Sequence, residues 1–283
     1  MSFSLSNKSN GFDKGPNSYF FIKRGIVLII LQQLLDLPSL ILNIGNLDTL
    51  PPFRGGVLYA LGVSLIFSSL FIKVKPIVQV YIGLAIVLIN YFITSTVLTQ
   101  PSNNAFLNLL FVPGSNNWVN VNYPALPWIG ITMIGLGIRK VNFLKAGLIF
   151  LLIFIILRFI NFGDYNHKNL SGIINYLAVI KYPPSIAYVI LNMGILSLLF
   201  WMISKFEKSN ICKPLIIFGQ SSLFFYFAHI YTFIVMSKFL PHSFPLINMY
   251  LLWLLGLLIL FPICKYYLKL KSQGSKTSIW RYF

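Results

Sequence analysis

Charge is scarce in this chain of 283 residues, and acidic charge is scarcest: Asp and Glu number 5 against 22 Lys and Arg. Charged residues amount to 10%, whereas about a quarter of the residues are charged in typical soluble domains. Hydrophobic residues reach 57% and the mean hydropathy is +0.79. A water-soluble core cannot absorb so many apolar side chains, so the composition excludes an ordinary soluble domain and indicates a membrane protein.

Cysteine is also rare, and Cys212 and Cys264 are the only two in the sequence. Both fall at predicted cytoplasmic helix ends, where thiols stay reduced. Their spacing matches neither a set of metal ligands nor a disulfide framework. We interpret them as inert thiols, and we expect no metal site.

The formal net charge of +17 raises the question of nucleic-acid binding. The basic residues flank apolar segments instead of forming one continuous stripe, and this pattern argues against nucleic acid. Anionic lipid headgroups are the better partners for basic residues at the ends of apolar segments. We therefore expect contact with membrane lipids and no contact with nucleic acid.

Long apolar runs are what the sequence has in abundance. About 20 mostly apolar residues are needed for a helix to cross roughly 30 Å of hydrocarbon. Eight runs qualify, at approximately 25–44, 55–72, 76–98, 123–138, 146–162, 184–203, 215–238 and 246–266. The sequence predicts an all-α fold, a polytopic transmembrane bundle of about eight spans. The fourth run is short and rich in Pro and Gly, which predicts irregular backbone lining a cavity, and hence a candidate site wall.

Orientation follows from the basic residues. Alternate gaps between the runs hold 17 of the 22 Lys and Arg residues, and by the positive-inside rule these gaps face the cytoplasm. Both termini are then cytoplasmic. Residues 1–22 contain no apolar stretch long enough for a signal peptide, so the first span itself must direct insertion. We predict a cytoplasmic N-terminal segment at 1–22 and a transmembrane domain at 23–283.

Ionisable residues inside the predicted spans are candidates for function because burying them in lipid is costly. Asp36 shares the first span with Gln32 and Gln33, and the four-residue spacing puts Gln32 and Asp36 on one helix face. This group is either a hydrogen-bond cluster between helices or part of a site. His229 lies in the outer third of the seventh span among aromatic residues. It is either a structural histidine or a group for proton transfer or substrate contact.

Two further candidates lie near the outer membrane surface. Arg158, at the end of the fifth span, either reaches the interface with its long side chain or forms an ion pair with Asp164 or Asp36. Lys181 precedes the sixth span, where the positive end of the helix dipole disfavours a lysine. We expect a negative group beside Lys181: Asp164, a lipid phosphate, an anionic ligand or a developing oxyanion.

Four stretches together resemble one family. They are residues 123–130 (YPALPWIG), 157–164 (LRFINFGD), 181–185 (KYPPS) and 218–229 (FGQSSLFFYFAH). Their order and spacing are similar to those of membrane proteins related to the heparan-alpha-glucosaminide N-acetyltransferase catalytic domain. The tail, with 261–265 (FPICK) and 280–283 (WRYF), also resembles bacterial members. The resemblance covers roughly residues 20–283.

The resemblance implies an integral-membrane acyltransferase. Such an enzyme would transfer an acetyl group from cytoplasmic acetyl-CoA to a sugar amine or hydroxyl on the opposite face of the membrane. The family opens with two helices that have no counterpart here, and its catalytic His has no matching position. The segment at 1–6 resembles the end of the second of these helices. We therefore expect two further helices to be encoded upstream. His229 becomes the tentative catalytic residue, and the tentative substrate-binding residues are Asp36, Trp128, Arg158, Asp164 and Lys181.

Two other functions stay open. A transporter or a lipid- or glycan-binding protein would use Asp36, Arg158 and His229 as an ion or substrate path, although the sequence shows none of the internal repeats typical of transporters. An inactive partial product is the third possibility.

His167 and His242 are interpreted as solvated loop residues. The expected location is the plasma or inner membrane, the expected partners are lipids and a sugar acceptor, and self-association is left open.

Overall fold

The computed structural model describes residues 18–44, 51–96, 103–138, 142–165, 172–206, 209, 212–239 and 245–273, with side chains omitted for 35–44. His167 and His242 lie outside the described residues, and so does the Asp36 side chain.

Helices dominate the described part of the chain. They are α1 (Ser18–Ile44), α2 (Val57–Ser68, followed by a 3-10 turn at Ser69–Phe71), α3 (Pro76–Thr96), α4 (Ala105–Leu110), α5 (Ala125–Gly137), α6 (Phe143–Phe159), α7 (Ile173–Leu177), α8 (Ile186–Lys205), α9 (Lys213–Gln220), α10 (Ser222–Ser237) and α11 (Leu246–Gln273). Three short strands are β1 (Phe53–Gly55), β2 (Gly114–Ser115) and β3 (Val119–Val121). The prediction of a mainly helical protein is confirmed, but the prediction that it is all-α is not.

All eight predicted apolar runs fall on helical segments, but the helices differ in length. Within the described ranges, three of them, α3, α8 and α11, are long and apolar enough to cross a membrane. A fourth span is possible if α9 and α10 act together, although they meet at 92°. The predicted span at 215–238 is therefore divided between two helices. The structure supports a helical membrane protein, while eight spans and cytoplasmic termini stay predictions.

The chain divides into two compact units. The first holds Met1–Leu34 and Asp48–Met202, and the second holds Leu35–Leu47 and Ile203–Phe283. The first unit therefore contains the three strands and the helices from α2 to α8, apart from the last residues of α8, together with the first part of α1. The second unit contains α9, α10 and α11.

Helices of the first unit approach one another closely at facing glycines. A Cβ added to Gly25 would lie 2.6 Å from the carbonyl oxygen of Gly62, and one added to Gly83 would lie 2.6 Å from that of Gly130. Small residues at such crossings let membrane helices pack backbone to backbone. The facing pairs are Gly25 with Gly62 (α1 and α2), Gly83 with Gly130 (α3 and α5), and Gly147 with Gly194 (α6 and α8).

A small sheet lies at the ends of α2 and α5 where these helices begin. The central strand β3 pairs in parallel with β1 and antiparallel with β2. β1 leads into α2 and β3 leads into α5, so the two parallel strands set the starting points of both helices. Strands of two or three residues carry no usable alternation of apolar and polar residues, which is why the sequence did not reveal them.

Gln32 and Gln33 join α1 to this sheet region. The Gln32 side-chain oxygen accepts hydrogen bonds from the backbone N–H groups of Leu58 at 2.8 Å and Tyr59 at 3.4 Å, and so caps the N-terminus of α2. The Gln33 amide both donates to the Arg54 carbonyl and accepts from the Arg54 N–H, each at 2.9 Å. Both glutamines therefore have structural roles.

The core of the first unit lies between α3, α5, α6 and α8. Its buried members are Val87, Tyr91, Ile134, Phe154, Ile186, Ala187, Val189 and Ile190. In the second unit, α10 and α11 pack through aromatic rings, with Phe224 stacked on Tyr267 at 4.2 Å between ring centres. Cys212 and Cys264 are buried free thiols.

Candidate functional site

Tyr123 and Trp128 form one side of the candidate site, at the N-terminus of α5. The parallel pairing of β1 and β3 brings the Tyr123 N–H to the Gly55 carbonyl oxygen, at 3.0 Å. The prediction of irregular backbone along this run is wrong beyond Pro124, because the helix is regular from Ala125 onward. The Tyr123 and Trp128 rings lie 5.3 Å apart. Tyr123 is therefore held in place by backbone pairing as well as by ring contact.

The indole N–H of Trp128 is buried and has no hydrogen-bond acceptor among the described residues. An indole nitrogen is a donor only, and buried donors are normally satisfied. This N–H is therefore an unsatisfied buried donor within the described part of the chain.

Lys181 and Tyr182, in the loop before α8, form the other side. The hydroxyls of Tyr123 and Tyr182 lie 2.7 Å apart, and the two rings meet edge to face at 5.2 Å. The Lys181 ammonium lies 5.0 Å from the centre of the Tyr182 ring and 5.6 Å from that of Tyr123. An ammonium this close to aromatic faces is attracted by their π electrons. The sequence predicted a negative group beside Lys181, and the structure places two tyrosines there.

Each of these three groups alters the acidity of the others. Interaction with the Tyr182 hydroxyl, opposed by partial burial and aided by Tyr123, raises the pKa of Lys181 to about 12. Burial is the largest influence on Tyr182 and acts upward. The interactions with Tyr123 and Lys181 outweigh it, so the pKa of Tyr182 is lowered. Burial, followed by the bond with Tyr182, raises the pKa of Tyr123. The site therefore carries a permanent cation beside one phenol of increased acidity.

Arg158 and Asp164 support the loop that carries Lys181. Their side chains form an ion pair at 3.5 Å and are only 4% and 9% exposed. The predicted ion pair is confirmed, and the alternative in which Arg158 reaches the interface is wrong. The guanidinium also donates to the carbonyl oxygens of Tyr176 and Asn175 at 2.8 Å and of Ala178 at 3.1 Å. Arg158 is therefore a buried anchor for α7 and the following loop.

The chain around Asp164 is fixed by backbone geometry. Gly163 has φ +90°, a conformation that side chains with a Cβ rarely adopt. Its carbonyl oxygen accepts the Ala187 N–H at 2.9 Å, and the Asp164 carbonyl accepts the Tyr91 hydroxyl at 3.3 Å. These contacts tie the end of α6 to α3 and to the start of α8.

The first N–H groups of α8 were candidates for oxyanion stabilisation. Ala187 donates to the Gly163 carbonyl at 2.9 Å, and Tyr188 donates to the Ser185 hydroxyl at 3.1 Å. A donor that already has a partner is not available to a developing oxyanion. The positive group in this region is thus the Lys181 side chain.

His229 lies in α10 and belongs to the second unit. Its Nδ1 is 3.0 Å from the Phe225 carbonyl oxygen, and its ring stacks on Phe225 at 5.5 Å. Because a carbonyl oxygen only accepts, Nδ1 carries the proton in this bond, and Nε2 is the basic nitrogen of the neutral ring. His229 thus has a structural contact and one ring nitrogen suited to a base.

Four of the predicted residues lie in the first unit, in two separate groups. Trp128 and Lys181 belong to the aromatic group around Tyr123, and Arg158 and Asp164 form the ion pair. The structure adds Tyr123 and Tyr182, which the sequence reading left out although both lie in the motifs that were singled out. The sequence offered two indications of these residues: Tyr182 directly follows Lys181, and Tyr123 is the first residue of the motif YPALPWIG. Among the described residues, no three His, Cys, Asp or Glu side chains form a group suited to a metal ion.

The apolar helices define a helical membrane protein. Residues 13–152 match the family model described as heparan-alpha-glucosaminide N-acetyltransferase, catalytic. Over this stretch the chain is similar to that catalytic domain, and the similarity indicates a membrane acyltransferase-like function. Neither a curated protein nor a solved structure matches the chain. The match includes Tyr123 and Trp128, while Arg158, Lys181 and His229 lie beyond it.

Proposed function

We propose that the protein is an integral-membrane acetyltransferase, which transfers an acetyl group from cytoplasmic acetyl-CoA to a sugar amine or hydroxyl at the external face of the plasma or inner membrane. The observation that carries the proposal is the family match over residues 13–152. The match supports the reaction class, and the arrangement around Lys181 supports the place where the acceptor binds.

The acceptor site that we propose is lined by Tyr123, Trp128, Lys181 and Tyr182. Aromatic faces combined with a few well-placed polar groups are typical of small-molecule sites. The free Trp128 N–H supplies one hydrogen-bond donor, and the Lys181 ammonium supplies a positive charge. In acyl transfer, such a charge stabilises the tetrahedral oxyanion that forms when the acceptor attacks the thioester carbonyl. Arg158 and Asp164 act indirectly, by holding the loop.

The distribution of Lys and Arg supports the sidedness that we propose. It assigns the loops before α5 and before α8 to the external side and the ends rich in basic residues to the cytoplasm. The acetyl donor then approaches from the face opposite to the acceptor. His229, with Nε2 as its basic nitrogen, stays a proposed group for proton transfer or substrate contact, and Asp36 stays a proposed substrate contact.

Proteoliposomes containing the purified protein test the proposal. Radiolabelled acetyl-CoA is supplied with an amino sugar, and in parallel with membrane glycans, and label in the sugar fraction is measured. We expect transfer by the wild-type protein and a loss of at least tenfold with Lys181→Met. The matched control is Lys265→Met, which removes an exposed lysine of the second unit and should leave transfer unchanged. Folded protein that moves no label to any of these acceptors would overturn the proposal.

A further inference from the structure

Tyr182 combines exposure with a polarised hydroxyl. Its side chain is 47% exposed, so a substrate can reach it. Its hydroxyl is also 2.7 Å from that of Tyr123. A distance of 2.7 Å is usual for an O–H···O hydrogen bond, so the two phenols are directly bonded and the protonation of one affects the other.

The charges around Tyr182 have one sign. Lys181 lies beside it in the same loop, Tyr123 faces it from the chain before α5, and Tyr188 interacts with it from α8. No carboxylate is among the described groups that influence its ionisation. One cation and two neutral phenols therefore surround the Tyr182 hydroxyl, and such a setting stabilises a phenolate.

The two tyrosines have different roles. Burial raises the pKa of Tyr123, whereas the pKa of Tyr182 is lowered by Tyr123 and Lys181 against the effect of burial. Tyr123 therefore keeps its proton and donates it in the hydrogen bond, and Tyr182 is the phenol that ionises first. Lys181, with a pKa of about 12, stays charged throughout the range in which Tyr182 changes state.

We propose that Tyr182 is the catalytic base that removes the proton from the acceptor during acetyl transfer, with Tyr123 and Lys181 as positioning residues for its phenolate. This rests on the function proposed above. The acceptor O–H or N–H proton moves to the Tyr182 oxygen while the acceptor O or N bonds to the thioester carbon. The tetrahedral intermediate then collapses, the C–S bond breaks and coenzyme A leaves as a thiolate. Proton loss to water restores the phenolate.

The pH dependence of kcat/KM tests this proposal. General-base catalysis contributes typically about 10²- to 10⁴-fold, so we expect Tyr182→Phe to lose at least about a hundredfold in kcat/KM while acceptor binding changes little. Whatever activity they keep, Lys181→Met and Tyr123→Phe should each move the acidic limb of the pH profile upward, because each removes a group that lowers the pKa of Tyr182. Tyr266→Phe, an exposed tyrosine of α11, is the control and should match the wild type.

Two results would overturn the proposal. One is a Tyr182→Phe protein with wild-type kcat/KM and an unmoved acidic limb. The other is an acidic limb that disappears in His229→Gln and persists in Tyr182→Phe, which would make His229 the base. If Tyr182→Phe does not fold, as judged by its melting temperature, the pH profile of Lys181→Met tests the proposal instead. An acidic limb at the wild-type position in that variant would contradict the proposal.

A measurement without activity separates this proposal from the function on which it rests. Ultraviolet difference absorbance follows tyrosinate formation as the pH of the purified protein rises. We expect one tyrosine to ionise below the others in the wild type and this early step to be missing in Tyr182→Phe. An early step in a protein that transfers no acetyl group would overturn the proposed function, and with it the base role, while the early ionisation of Tyr182 would stand. Absence of the step in an active protein would overturn the role of Tyr182 alone.

Discussion

The Arg158 guanidinium Nε donates a 2.8 Å hydrogen bond to the carbonyl oxygen of Tyr176, 18 residues further along the chain. Together with bonds to the carbonyls of Asn175 and Ala178, it satisfies backbone acceptors at the C-terminal end of α7. A helix of five residues does not hold together by its own hydrogen bonds. The buried guanidinium is therefore what gives the loop before Lys181 a fixed shape.

Arg158→Met should destabilise the first unit by about 3–5 kcal/mol, because Asp164 is then left as a buried charge without its partner. Arg158→Lys should rescue little of this, since one ammonium cannot bind several carbonyls and a carboxylate in the geometry of the guanidinium fork. Thermal unfolding in detergent measures the effect. Arg158→Met combined with Asp164→Asn should recover part of the loss, and a double variant no more stable than Arg158→Met would contradict the buried pair as its cause.

The facing glycines predict a difference between two positions of α5. A Cβ at Gly130 would lie 2.8 Å from the Gly83 carbonyl oxygen, whereas one at Gly135 meets no atom within 4 Å. Overpacking of this kind typically costs about 1–3 kcal/mol. Gly130→Ala should lower the melting temperature, and Gly135→Ala, the matched control, should leave it unchanged or raise it slightly. Equal effects at the two positions would refute the close crossing of α3 and α5.

Gln32→Leu should destabilise the protein by about 1–3 kcal/mol, because the buried N–H of Leu58 loses its acceptor. Gln32→Glu keeps an acceptor oxygen at the same reach and should cost less than the leucine variant. The midpoint of thermal unfolding reports both changes. Gln33→Leu serves for comparison, since its bonds to Arg54 are only partly buried, and it should have the smaller effect. A harmless Gln32→Leu would show that α2 needs no cap from α1.

The raised pKa of Lys181 predicts a stability contribution with a defined pH range. A pKa of about 12, above the ordinary 10.5, means that the folded protein holds this proton more tightly than the unfolded chain. The contribution is therefore fully present below about pH 10.5 and is lost as the pH rises through about 12. The difference in melting temperature between the wild type and Lys181→Met should be constant from about pH 7 to about pH 9. A difference that shrinks within that interval would contradict the contact with Tyr182.

Reporter fusions test the orientation. The uneven distribution of Lys and Arg predicts that a fusion after Lys271 reports from the cytoplasm, whereas one in the loop before α8 reports from outside. Substituting Lys265, Lys269 and Lys271 should weaken the signal of the first fusion. An external signal after Lys271 would overturn the predicted topology and the assignment of the acceptor site to the external face.

The sequence predicted what depends on long-range composition and missed what depends on local pairing. Apolar runs located the helices, and the cost of burying charge located the contact between Arg158 and Asp164. The right angle between α9 and α10 was missed because the polar residues Gln220, Ser221 and Ser222 are too few to end the apolar run, and hydropathy does not report direction. The contact between Tyr123 and Tyr182 was missed because it depends on β1 and β3, which are only three residues long.

The short length of α2 and α5 has a consequence for the path across the bilayer. Both α2 and α5 begin at the small sheet, and α5 has 13 residues, or roughly 20 Å at 1.5 Å per residue. The hydrocarbon layer is about 30 Å thick. In the proposed orientation, with the C-terminus of α5 at the cytoplasmic edge of this layer, Tyr123 lies about two thirds of the way across it, and an acetyl group from the cytoplasm has only that distance to travel.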